Sequence, residues 1–130
     1  MLTPVDLAER FGQFDEPWSP KLIARLNDHE IKAVRLHGEF VWHDHPDTDE
    51  LFLVLSGSLV IRMHEQDGGD VTVGPGQLFV VPRGVQHCPR ADGEVRALLI
   101  EPAGVVNTGS AAPGALTATP DHSLLDGSAR

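Results

Sequence analysis

The stretch that decides the fold is FVWHDHPDTDELFLVLSG, residues 40–57. It holds two histidines one residue apart, a group of carboxylates, and then an apolar run that ends at a glycine. Residues two apart on a β-strand point to the same face of the sheet. On a strand, His43 and His45 would therefore enter one cavity and could share a metal ion. The alternative is a charged surface loop that holds two histidines by chance.

The rest of the chain predicts short strands separated by turns. Thr3 and Pro4 predict the start of a helix that runs to about Phe11. From Lys21 onward, apolar segments are separated by Gly, Pro, Asn and Asp, and Asn27-Asp28 marks a first hairpin. This spacing is typical of an all-β sandwich or barrel. The predicted strands are KLIARL, EIKAVRL, EFVWHDH, ELFLVLS, LVIRMHE, DVTV, QLFVV, VQHC and VRALLIE.

A length of 130 residues suits one domain with one hydrophobic core. We expect an N-terminal helix and extended arm over residues 1–20 and a single barrel over residues 21–104. Residues 105–130 are rich in Gly, Ala, Ser, Thr and Pro, which predicts a partly irregular or disordered tail.

Charge and composition argue against several partners. The formal net charge is −9 and no cluster of Lys and Arg occurs, which disfavours nucleic acid and anionic membranes. No run of about 18 apolar residues predicts a membrane span, and the first residues do not resemble a secretory signal. Cys88, the single cysteine, forms no internal disulfide. We expect a cytoplasmic protein.

The segment ELFLVL is apolar on both of its predicted faces. Phe52 and Val54 share one face with Glu50, and three leucines occupy the other. A strand that is half exposed to water would alternate apolar and polar residues. The outer face should therefore be covered by the N-terminal segment or by another subunit, and we favour a homodimer.

Further candidate ligands follow the two histidines. Glu50 opens the next predicted strand, and His87 follows VPRGVQ at the start of a later one. Three imidazoles and one carboxylate suit one divalent metal ion such as Zn, Fe, Mn, Ni, Cu or Co. Four protein ligands leave positions open on an octahedral ion for water or a chelating substrate, unlike a closed structural zinc site.

In their spacing these residues resemble the two motifs of the cupin superfamily. The first motif runs from Gly38 through His43-x-His45 and Glu50 to Gly57, and the second from Gly76 through Pro82-x-Gly84 to His87. The resemblance implies a double-stranded β-helix, or jelly-roll barrel, with metal ligands His43, His45, Glu50 and His87. Glu50 fits the spacing to Gly57 better than Asp49 does.

The chain departs from the family pattern at two places. Gly38 lies one residue closer to His43 than usual, and Ala91 stands where the motif has asparagine. The stretches VVPRGVQHCP and LLIEPAGVVNTG are similar to small single-domain bacterial cupins that are labelled mannose-6-phosphate-isomerase-like. The label describes the barrel, and we expect no room for the further domains of the full isomerases.

Other polar residues have simpler interpretations. Cys88 should be a small buried residue, and Arg62 and His64 should share a face that we assign to solvent. Arg96 interrupts an apolar strand, where it could bind an anionic group or pair with an acidic neighbour. Trp18 and Trp42 are predicted core or interface anchors, and surface positions are expected for Arg83, His29, His37 and His122.

The leading hypothesis is a metal-dependent enzyme that acts on a small polar, oxygen-bearing metabolite. Sugar-like isomerase or lyase chemistry and dioxygenase chemistry both agree with the resemblance. The chain has no tyrosine, so an acid or base would have to be Glu, Asp, His, Cys or metal-bound water. The alternative is a non-catalytic module that binds a metal or a metabolite.

Overall fold

The computed structural model describes residues 2–118 and 123–125. In these residues the chain forms one short helix, seven strands and one turn of 3-10 helix at Glu65–Asp67. No helix of this described part is long and apolar enough to cross a membrane. The elements are α1 (Leu7–Phe11), β1 (Lys21–Leu26), β2 (His29–Glu39), β3 (Glu50–Ser56), β4 (Leu59–Met63), β5 (Val71–Val73), β6 (Leu78–Val81) and β7 (His87–Pro102).

Strand β7 connects the two walls of an antiparallel barrel. It pairs with β2 over residues 90–102, and its second partner changes from β4 to β3 along its length. Strand β5 extends the β4 side and β6 extends the β3 side. The hairpin between β1 and β2 turns at Asn27, whose φ of 55° is tolerated by asparagine. The result is the all-β double-stranded β-helix that the sequence predicted.

The interior of the barrel is apolar over most of its length. Strand alternation sends one face of each strand inward, as on β3, where Phe52 and Val54 are buried. Trp18 reaches the same core from the N-terminal arm and stacks on Phe40, with ring centroids 4.6 Å apart. Burial of this cluster supplies the main driving force for folding.

A second apolar cluster lies on the outer face of the sheet. Phe11 and Phe14 of the N-terminal arm pack there against Ile23 and Leu98, with Leu53 at the border. The N-terminal segment therefore covers part of the outer face of β3, as one of the two sequence interpretations expected.

Arg35 fastens this arm to the sheet. Its guanidinium donates hydrogen bonds to the backbone oxygens of Phe14 at 2.9 Å and Phe11 at 2.7 Å, and it also contacts Glu94. The oxygen of Phe11 belongs to the last residue of α1, where a cation is favoured by the helix dipole.

The sequence interpretation was wrong about the start of the helix. The N-cap is Asp6, whose side chain accepts a hydrogen bond from the Glu9 backbone N–H, and Thr3-Pro4 lies before the helix. Aspartate is a better N-cap than threonine, which explains why Asp6 and not Thr3 caps the helix.

Two strand predictions also need correction. The predicted strand EFVWHDH is irregular: β2 ends at Glu39, and only His43 forms an isolated bridge. Phe40 and His43 both face the interior, although residues three apart on a regular strand would point to opposite faces. His87 and Cys88 of the predicted strand VQHC and all of VRALLIE, predicted as a separate strand, lie in the single strand β7, whereas Val85 and Gln86 precede it.

The described part of the C-terminal segment packs against the barrel. The side-chain amide of Asn107 donates to the backbone oxygens of Trp18 and Leu116, and its oxygen accepts from the Ala118 N–H at 2.9 Å. Leu124 N–H donates to Leu22 O at 2.8 Å. His122 and residues 119–121 and 126–130 of the predicted tail lie outside the described residues.

Gly57, between β3 and β4, provides a test of the fold. Its φ is +83°, and a Cβ there would lie 2.5 Å from the Glu94 backbone oxygen. Gly69 also has a positive φ, +76°, but nothing lies near its Cβ position. We expect Gly69→Ala to lower the free energy of unfolding by about 1 kcal/mol and Gly57→Ala by about 3 kcal/mol, measured by urea denaturation. Equal losses would mean that the close approach at Gly57 is not important.

Candidate metal centre

Backbone pairing sets two of the predicted ligands side by side. His43 and His87 form an antiparallel bridge, with N–O distances of 3.0 and 2.9 Å in the two directions. Their imidazole centroids lie 4.3 Å apart. The position of His43 thus depends on its pairing with β7 and not on a regular strand of its own.

The remaining parts of the two motifs are also joined to each other. Gly84 N–H donates to His45 O at 3.0 Å, and Glu50 pairs in register with Val81 of β6. Arg83 N–H donates to the side chain of Asp49 at 2.9 Å, which directs this carboxylate away from the histidines. Asp49 is exposed, whereas Glu50 is 3% exposed.

The structure brings all four predicted residues together in the interior. One ligand atom from each of His43, His45, Glu50 and His87 lies within 4.8 Å of the others, and all four residues are buried. Glu50 Oε1 lies 3.3 Å from His87 Nε2, and Glu50 Oε2 lies 3.1 Å from His45 Nε2. This arrangement places three imidazoles around one carboxylate.

Backbone carbonyls orient two of the imidazoles. The Nδ1 atoms of His43 and His87 lie 2.9 Å from the backbone oxygens of Val41 and Val85. A carbonyl can only accept, so each Nδ1 carries a proton and, in the neutral ring, Nε2 keeps its lone pair. This is the pattern by which metal-binding histidines are fixed in orientation.

The electrostatic environment favours the metal-binding forms of His43 and Glu50, whereas in His45 it favours the protonated ring. Burial, followed by the nearby His87, lowers the pKa of His43 from 6.5 to about 4. Burial also acts to lower the pKa of His45, but the Glu50 carboxylate outweighs it and raises that pKa above 6.5. Burial would raise the pKa of Glu50, yet His45 and His87 hold it below its usual range. Near neutral pH, Glu50 is therefore ionised and His43 is neutral.

The residues present fit a divalent metal ion. His45 Nε2 is buried and makes no aligned hydrogen bond despite its proximity to Glu50. Burying a polar nitrogen without a partner is unfavourable, and a cation would satisfy it. Imidazole nitrogens with one carboxylate oxygen suit the borderline divalent metals, as the sequence indicated.

A small cavity adjoins this cluster. Its volume is about 30 Å³, and His43 and Glu50 lie in its wall. The rest of the wall is mainly apolar, with Trp18, Phe40 and Phe52 among the lining residues, and Asn107 contributes from the C-terminal segment. The candidate metal centre therefore opens onto an apolar space inside the barrel.

Sequence reasoning missed two charged residues near the cluster. Glu101 is 2% exposed and contacts Glu50, and Lys32 Nζ lies 3.1 Å from Glu101 Oε1. Burial, and then the charge of Glu50, raises the pKa of Glu101 to about 8. Glu101 shares strand parity with the buried Ala97 and Leu99, so the alternation within LLIEP could have identified it.

The other residues singled out in the sequence lie away from the cluster. Cys88 is fully buried, as predicted, and burial followed by Glu39 raises the pKa of its thiol to about 11.

His64 is exposed and stacks on Trp42, and Arg62 lies over the same indole and pairs with Glu39. Arg96 pairs with Glu94 on the outside. Arg83, His29 and His37 are not buried.

Fold and site together define a small β-barrel protein with a candidate mononuclear metal centre. A family model described as "Cupin domain" matches residues 33–101, which is more than half of the chain. The chain belongs to the cupin family. The matched range contains all four residues of the cluster.

Individual relatives agree with this assignment. A cupin-2 domain containing protein from Shewanella frigidimarina is 41% identical with a TM-score of 0.72, and the match covers 75% of this chain and 93% of that one. Protein YdbB of Bacillus subtilis is 36% identical over 69 residues, 53% of this chain and 59% of that protein. Human 3-hydroxyanthranilate 3,4-dioxygenase is 28% identical over 96 residues, 72% of this chain and 32% of that enzyme. The chain thus spans less than two thirds of these last two relatives.

The two neighbouring carboxylates provide a test of the ligand set. Loss of a residue that orients a metal ligand weakens metal binding roughly 10- to 100-fold. Glu50→Gln changes a ligand itself, so it should weaken Zn²⁺ or Mn²⁺ binding by more than this. Asp49→Asn should leave the affinity unchanged, because the side chain faces Arg83 and its oxygen can still accept there. Competition titration with a chromogenic chelator measures both variants. A larger effect at Asp49 would move the carboxylate ligand to that residue.

Proposed function

We propose that the chain is a mononuclear metal-dependent enzyme that acts on a small oxygen-bearing molecule. The observation that carries the proposal is the buried cluster of His43, His45, Glu50 and His87 beside a cavity inside the barrel. Four protein ligands leave positions free on an octahedral ion for a substrate. A closed site with no adjoining space would instead suit a structural metal.

The cavity of about 30 Å³ has room for only one or two water molecules, so a substrate would have to enlarge it, but its apolar lining favours oxygenation over sugar isomerisation. Trp18, Phe40 and Phe52 provide apolar walls, and the amide of Asn107 is already engaged by backbone groups. A sugar needs several hydrogen-bonding partners, whereas a flat molecule with one or two oxygens needs few. The mannose-6-phosphate-isomerase-like resemblance therefore stays a prediction about the barrel, and we do not extend it to activity.

Two relatives support the oxygenase proposal. The 3-hydroxyanthranilate 3,4-dioxygenases of human and of Brucella anthropi are 28% and 33% identical to this chain over 96 and 67 residues. A divalent ion in the cluster would supply Lewis-acid polarisation of a chelating substrate or activation of dioxygen. The protein's part is to hold three imidazoles and a carboxylate in place and to exclude water with its apolar wall.

Metal analysis with oxygen uptake tests this proposal. Protein purified without an affinity tag or added metal should contain about one divalent ion per chain. After anaerobic loading with Fe²⁺, we expect oxygen consumption with one of a panel of small phenols, diketones and thiols. His87→Ala should lose the metal and the activity but keep its folded circular dichroism spectrum, because the apolar core does not depend on the ion. His37→Ala is the matched control, since that histidine is exposed.

Other results would contradict the proposal in different ways. Absence of metal after repeated loading would reject the metal centre and leave a non-catalytic module that binds a metabolite. One tightly held ion without oxygen uptake, but with turnover of sugar isomers, would favour isomerase or lyase chemistry.

We also propose a bacterial cytoplasmic location and the predicted three-part organisation, with an arm over 1–20, a barrel over 21–104 and a tail over 105–130. The single cysteine, buried and unpaired, is compatible with a reducing compartment. The negative net charge supports a small-molecule partner over nucleic acid or an anionic membrane.

A homodimer is proposed from the uncovered end of the outer sheet face. Leu78 and Val80 of β6 are 59% and 41% exposed and pair in register with Leu53 and Leu51 of β3. Among the described residues β6 pairs only with β3, so its other edge has free backbone groups. An exposed apolar edge strand is normally covered, and a second copy brings the same strand to a two-fold interface.

Light scattering tests this interface. The wild-type chain should show twice the mass of one chain, and Leu78→Lys should show the mass of a single chain. Leu26→Lys is the matched control, because Leu26 is 58% exposed but lies on β1 at the opposite edge. A single-chain mass for the wild type would reject the dimer, and dissociation by both variants would reject its location.

A further inference from the structure

A row of three carboxylates crosses the sheet at the end where the histidines lie. Glu30 of β2 pairs in register with Glu101 of β7. The next pair in the register, Leu51 with Ile100, places Glu50 of β3 on the other side of Glu101. Carboxyl groups opposite each other on neighbouring strands repel when both are charged, and burial makes that repulsion stronger. A row of this kind requires a compensating group.

Only part of the compensation comes from the protein in the described residues. Lys32 Nζ lies 3.1 Å from Glu101 Oε1 and 3.6 Å from Glu30 Oε1. Glu101 Oε2 is buried without a hydrogen-bond donor among the described groups, and the Glu101 side chain contacts Glu50. Lys32 therefore holds one oxygen of Glu101 and leaves the other without a protein donor.

The contact between Glu101 and Glu50 restricts the candidate ligand. Glu50 directs one oxygen to His87 and the other to His45, at 3.3 and 3.1 Å. A glutamate side chain rotates freely about its last bond unless its carboxylate is held. Glu101, which lies outside the four-residue cluster, contacts this carboxylate and is itself held by Lys32.

We propose that Glu101 is a positioning residue, which acts through its contact with Glu50 to aim the Glu50 carboxylate at the ion, and that Lys32 fixes Glu101 for this task. The inference rests on the proposed metal centre. It assigns a role to two residues that belong to neither sequence motif. Glu101 does not bind the ion itself, since it is not part of the cluster of ligand atoms.

The test compares two substitutions of Glu101 in the full chain, with Co²⁺ as the probe. Glu101→Gln keeps the shape and gives an amide donor for Glu50, so affinity and the Co²⁺ absorption spectrum should stay close to wild type. Glu101→Leu removes the contact, and affinity should fall roughly 10- to 100-fold with a shifted spectrum. Glu30→Gln is the matched control, because it lies in the same row and near the same lysine but away from Glu50.

Urea denaturation of the metal-free proteins separates this role from a structural one. Glu101→Leu should stay folded, with at most a modest loss of stability, because Lys32 keeps Glu30 as a partner at 3.6 Å when Glu101 is removed. If that variant does not fold, Lys32→Met provides a second route and should shift the spectrum in the same direction. Wild-type affinity and spectrum in Glu101→Leu would overturn the proposal, as would equal losses in the Gln and Leu variants. Failure of the wild type itself to bind Co²⁺ would instead reject the metal centre, and the inference with it.

Discussion

The coiling of the β2–β7 ribbon around the barrel is the constraint on which the candidate site depends. His87 opens β7 and Glu101 is its last residue but one, yet both contact Glu50. A straight strand would hold these two residues roughly 45 Å apart, at a rise of about 3.3 Å per residue. The ribbon must therefore wrap around the barrel axis to bring its two ends together. The register shift between Leu36 and Gly38 shows where the pairing is irregular, and irregular pairing bends a strand.

The spacing of the motifs predicted the composition of the cluster well and its local structure poorly. Glycine and histidine spacing identified Glu50 over Asp49, and the structure brings Glu50 to the histidines while Asp49 faces Arg83. The same reasoning placed His43 on a regular strand, because it used alternation within one segment. The actual position of His43 is set by its bridge to His87, a contact across more than forty residues that no local pattern encodes.

The outer sheet face shows why burial patterns predict a covered surface but not what covers it. Both faces of β3 are apolar, and the sequence left the arm and a second subunit as alternatives. Phe11 and Phe14 cover the face near Leu53, held there by Arg35, whereas Leu78 and Val80 remain exposed further along. The arm was hard to place from sequence, because Arg35 binds backbone oxygens, which any residue type provides.

The polar cluster lowers the stability of the folded chain, and burial of the apolar core can offset this loss. Replacing buried charged groups with well-packed apolar residues is often neutral or stabilising, so three histidines and two glutamates do little for folding. The cluster lies beside a larger apolar core that includes Trp18 and Phe52. The atoms that the described protein groups leave without aligned partners include His45 Nε2 and Glu101 Oε2, which belong to two residues in contact with Glu50. An arrangement selected for stability would have paired or removed these two atoms. An arrangement selected to hold a cation would leave them beside the carboxylate.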